Sequence, residues 1–85
     1  MKEEKIMFTL YVDYHGAGLE SIKIGEKNPV NAGRKAEEII SEKFWGQELR
    51  EKIYCFTLED SKGNVVGRFR PHKHCGNITF GFYFE

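Results

Sequence analysis

Residues 68–77 read RFRPHKHCGN and crowd together side chains that could ligate a metal, attract an anion or act as a nucleophile. Metal chemistry would use His72, His74 and Cys75, which are zinc or copper ligand types, with Cys55 or His15 to complete a set of four. The His-x-His-Cys spacing differs from the paired Cys-x2-Cys or His-x3-His arrangement by which a short turn aims two ligands at one ion. Metal is therefore the minority reading, and no cofactor is expected. Nucleophilic chemistry would use Cys75, which has positive neighbours and Gly76 beside it to supply a backbone donor. A working Cys–His pair also needs a third orienting group and a pocket, for which a chain of 85 residues has little room. The carboxylate pairs Glu3/Glu4, Glu37/Glu38 and Glu59/Asp60 fall in a tail, on a wet helix face and in a turn. Gly16-Ala17-Gly18 joins two strands and does not open a helix, so it lacks phosphate-cradling geometry. No enzyme is expected.

The elements that must carry these side chains follow from hydrophobic period. Ile6, Phe8, Leu10, Val12 and Tyr14 alternate with Met7, Thr9, Tyr11 and Asp13, the period of a half-buried strand. His15 to Gly18 makes a turn, and Leu19 to Ile24 returns as a second strand. From Asn28 the period becomes helical: Ala32, Ala36, Ile39, Ile40 and Phe44 form one stripe, with Asn28 or Asn31 as N-cap and Gly46 as C-cap. After a polar connector, Gln47 to Lys52, strands are expected over Tyr54–Leu58, Val65–Arg70 and Ile78–Glu85. Pro71 ends the second of these, because it cannot donate to a ladder, and Pro71 to Asn77 is read as a loop.

The order β-β-α-β-β-β predicts a single α+β domain over residues 1–85. An antiparallel sheet of about five strands carries one amphipathic helix on one face. The inward set is Phe8, Leu10, Ile22, Ile24, Phe56, Leu58, Phe69, Phe80 and Phe82, against Ile39, Ile40 and Phe44 of the helix. One helix covers one face, so the other stays open. It carries Met7, Thr9, Tyr11, Ser21, Lys23, Cys55, Thr57, Val66, Arg68, Arg70, Thr79 and Tyr83. Tyrosine and arginine offer stiff contact area, and Tyr11, Lys23, Arg68, Arg70 and Tyr83 are the candidate binding face.

Charge limits the partners. The formal net charge is zero, which removes any whole-protein attraction for nucleic acid or anionic membrane. Residues 1–60 hold nine basic and twelve acidic side chains, a balance of −3; residues 61–85 hold four basic and one acidic, a balance of +3. Such polarity suits a protein partner as well as a nucleic acid. The expected function is a small non-enzymatic module acting by protein–protein contact, of the kind with which phage and mobile-element proteins occlude a host protein. An accessory protein, or a homodimer joined through an edge strand, is consistent with the same features. The alternative is a nucleic-acid module that stacks bases on the open face while cations meet phosphates; a near-neutral pI speaks against it. The N-terminal MKEEKIMF lacks a secretory pattern, and no window approaches a membrane span. The expected location is cytoplasmic, where Cys55 and Cys75 stay reduced.

Overall fold

A computed structural model describes residues 7–16 and 18–85. Ile6, the Glu3/Glu4 pair and Ala17 lie outside them. The elements are β1 (Met7–Tyr14), β2 (Leu19–Gly25), α1 (Pro29–Lys43), α2 (Gln47–Arg50), β3 (Ile53–Glu59), β4 (Val65–His74) and β5 (Asn77–Phe84). The strands form one antiparallel sheet in the order β2-β1-β3-β4-β5. This is the expected α+β architecture, with the added one-turn helix α2 in what reads as a polar connector. No helix among the described residues is long and apolar enough to cross a membrane.

α1 begins as its sequence dictates. The Asn28 side-chain oxygen accepts the Asn31 amide at 2.8 Å, and Pro29 takes the first turn, where no N–H is needed. Asn28 is thus the cap, and Asn31 is capped by it. The helix stops at Phe44, whose N–H still bonds the Ile40 carbonyl. Gly46, expected as the C-cap, instead precedes α2 as its N-cap with φ −72. Arg50 explains the difference: its Nε donates to the Phe44 carbonyl, so a side chain closes the helix where a left-handed glycine was expected.

The core lies between α1 and the inner face. Phe8, Leu10, Ile24, Phe56, Leu58, Phe69, Ile40 and Phe44 are buried as the alternation predicts, while Ile22, Ile39, Phe80 and Phe82 are half-buried. Val12, Ala32, Ala36 and Ile53 join them. Ile53 replaces Tyr54 because the β1–β3 register shifts between Asp13/Cys55 and Tyr14/Ile53, which turns the exposed Tyr54 outward. A second shift, between Leu58/Gly67 and Glu59/Val65, makes Val66 the extra residue. It packs against the core although alternation puts it outside. Phe56 meets Phe44, Phe69 and Phe80 edge to face, with centroids 4.9 to 6.2 Å apart. Each such pair contributes about 0.5–1.5 kcal/mol beyond its buried area. The Phe82 ring occupies the space where residue 67 would have a side chain: a Cβ on Gly67 would stand 2.6 Å from it.

The expected loop from Pro71 to Asn77 is a continuation of β4. Pro71 pairs with Phe80, His72 with Thr79, Lys73 with Ile78 and His74 with Asn77. The connector shrinks to Cys75 (φ 53) and Gly76 (φ 83), a two-residue hairpin turn whose backbone twist matches the strands. Pro71 is tolerated because of the side it faces. The Glu85 amide donates to the Val66 carbonyl at 2.9 Å, so even-numbered residues of β4 bond to β5 and odd-numbered ones turn toward β3. The missing N–H of Pro71 therefore falls on the β3 side, where the last registered pair is Phe56–Phe69. Proline ends one ladder of β4 and leaves the other intact.

Candidate binding face

The register places the five sequence-derived residues on the face opposite α1. Ser21, Tyr11, Thr57, Arg68 and Tyr83 stand directly opposite one another in turn, one row crossing all five strands. Lys23 lies two residues along β2 from this row, opposite Thr9; Arg70 lies two along β4 the other way, opposite Gly81. Arg70 and Tyr83 are exposed, and Tyr11 and Arg68 are half-buried. The Lys23 ammonium reaches the Thr9 hydroxyl at 3.4 Å, one reason Thr9 is buried on an open face.

The extension of β4 adds His72 to this face, two residues beyond Arg70. Its Nε2 lies 2.7 Å from the Tyr83 hydroxyl, which fixes both side chains across the β4–β5 pair. Arg68 forms a 2.6 Å ion pair with Glu85. Where β3 and β4 part at Pro71, a depression of ≈ 620 Å³ opens. Asp13, Tyr54, Cys55 and Thr57 line one side; Arg68, Arg70 and His72 line the other. Arg70 supplies donors there, and Asp13 and Thr57 supply acceptors, so the depression can meet a polar side chain of a partner.

His72, Asp13, Tyr54 and Pro71 are the members of this site that sequence reasoning missed. A signal for His72 was present: Arg68, Arg70, His72 and His74 keep the period of two straight through Pro71. Tyr54 carried none, because it arrives by a bulge. It packs edge-on against His15, with centroids 5.5 Å apart.

The metal and nucleophile readings lose their geometry. Among the described residues no three His, Cys, Asp or Glu side chains come together to hold a metal ion. His72 is engaged by Tyr83, Cys75 sits exposed in the turn, and Cys55 is buried within 4.0 Å of the Thr57 hydroxyl. The perturbed titrations lie elsewhere. Burial, reinforced by the bond to Glu20, pushes the Tyr14 hydroxyl up to about 12. Amide donation from Asn64, assisted by Lys62, holds the Asp60 carboxyl below its usual range in the β3–β4 turn. Neither residue belongs to the open face.

No protein-family model, curated protein or solved structure matches this chain.

Proposed function

We propose that this protein is a small cytoplasmic, non-enzymatic binding module. It docks the open face of its sheet on a protein partner and occludes the surface it covers, as small phage and mobile-element inhibitors do. The observation that carries this reading is the row Ser21–Tyr11–Thr57–Arg68–Tyr83, which crosses all five strands on the face that α1 leaves bare. Rings and guanidinium groups held on paired strands present contact area at low entropic cost, and the depression beside Arg70 gives such a face a point of register. Charge favours protein over nucleic acid: Asp13 and Glu59 share the face with the cations, and Glu85 already pairs with Arg68. A phosphate backbone would have to displace or tolerate these carboxylates.

The test is capture from lysate by the immobilised chain, with the captured protein identified and its affinity then measured with purified partner. The variant Tyr11→Ala/Arg68→Ala/Arg70→Ala/Tyr83→Ala should lose at least ~100-fold in affinity while keeping its circular dichroism spectrum. Unchanged affinity rejects this face. Salt-sensitive oligonucleotide binding in place of protein capture transfers the face to nucleic acid.

A further inference from the structure

β5 ends the sheet, and its free side is only partly covered. Because odd-numbered residues of β5 bond to β4, Ile78, Phe80, Phe82 and Phe84 turn their N–H and C=O groups to the open side. At Ile78 both are taken by α2: the Gln47 side-chain oxygen accepts the Ile78 amide at 2.7 Å, and an Arg50 Nη donates to its carbonyl at 2.7 Å. α2 thus substitutes for a neighbouring strand over one residue. Among the described residues nothing pairs with the corresponding groups of Phe80, Phe82 and Phe84.

Composition narrows what can lie there. Asn77–Phe84 contains no charged residue and no proline, the two features that commonly guard an edge. On the inner side the rings of Phe80 and Phe82 are half-buried, and Phe84, stacked edge-on to Phe82, is 60% exposed. The open groups are symmetric about Phe82. An antiparallel strand of the same sequence, related by a two-fold axis at that residue, sets Phe82 against its own copy and Phe80 against Phe84. All three residues then exchange both bonds, giving six in total, and no like charges meet. The alternative centre, which pairs Phe80 with Phe82, would set Phe84 against Ile78, whose groups α2 already holds. α2 therefore sets the register as well as covering the end.

We propose that two copies of this chain join through β5 in that register, making one continuous ten-stranded sheet with six phenylalanine rings packed across the two-fold axis. A second copy is favoured over an unrelated strand because one segment satisfies every open group with no charge to oppose it. The pairing runs along the sheet edge and is independent of what the open face binds.

Sedimentation of the full chain under reducing conditions, which keep the exposed Cys75 from linking copies, is the test. The expected mass is twice 9.9 kDa. Phe84→Lys should sediment as a monomer with its fold intact. A chain ligated at Cys75 to carry N-methyl-Phe82 loses no side chain and no internal bond, yet should dimerise about 10–30-fold more weakly. A monomer up to about 100 μM, or a dimer that both changes leave unaltered, overturns the proposal.

Discussion

β2 and β5 both end the sheet, and they guard their free sides by opposite means. β2 relies on composition. Among the described residues its open backbone groups fall at Leu19, Ser21, Lys23 and Gly25, a stretch that carries the charges of Glu20 and Lys23, and the Tyr14 hydroxyl holds Glu20 at 2.7 Å. β5 has no charge and relies on cover. α2 closes its first open position, α1 brings Gly33 close to Phe82, and the remaining three positions stay open. Both edge strands send their inner residues into the core, Ile24 from β2 and Phe82 from β5; the difference teaches that a charged edge strand protects its own open groups, whereas an uncharged aromatic one needs cover from another element.

The largest test of that contrast is Gly67→Ala. A Cβ there would stand 2.6 Å from the Phe82 ring and 2.7 Å from the Tyr83 carbonyl, so ring and backbone both have to move. Denaturant unfolding should show a loss of about 3 kcal/mol. A loss under about 1 kcal/mol would mean that Phe82 does not anchor β5. Arg50→Ala comes next. It removes the bonds to the Phe44 and Ile78 carbonyls and a guanidinium 5.7 Å from the centre of the Phe80 ring, and should cost about 2 kcal/mol. Amide exchange at Ile78 and along β5 should rise while exchange along β2 stays unchanged. Equal acceleration at both edges would break the contrast.

A smaller effect, in the stabilising direction, is expected at the β4–β5 turn. Cys75 holds φ 53, a region that asparagine tolerates far better, so Cys75→Asn should gain about 0.5–1 kcal/mol by making an Asn-Gly turn. The smallest effect lies at β2. Tyr14→Phe should change stability by less than about 0.5 kcal/mol at neutral pH. The wild type should show an additional alkaline loss: folding holds the hydroxyl proton up to about 12, against 10.0 in the unfolded chain, so this contribution is present below pH 10 and disappears as pH rises toward 12. Titrating both proteins by thermal melts over that interval checks the sign; parallel curves would detach Tyr14 from the edge.

Much of the fold was legible because burial follows period. Leu10, Phe56 and Phe69 could be assigned to one face from spacing alone, and each is almost fully buried. Asn28-Pro29 marked the start of α1 through chemistry that acts within four residues. Besides the two bulges and the cap at Gly46, two features escape a reading by period. α2 spans four residues, too few for a period to show, and it is held by Arg50 and Gln47 reaching residues 28 and 31 positions away. Pro71 would break a strand that is paired on both sides, but among the described residues β4 is paired on one side only beyond Phe69. The same proline hid His72 from the candidate face, although Tyr11, Lys23, Arg68, Arg70 and Tyr83 could be assigned to one face from alternation.

Away from the two bulges at Tyr54 and Val66, the sequence by itself determined which residues face each side of the sheet, and it determined where α1 starts, since both depend on neighbours a few positions apart. It also determined that one face would be left without a helix. Only the tertiary structure decided which strands became edges, which side of β4 Pro71 faces, and how far α2 covers β5. These depend on pairings between distant segments, where the relative placement of two ladders settles whether a backbone group is bonded, blocked or open.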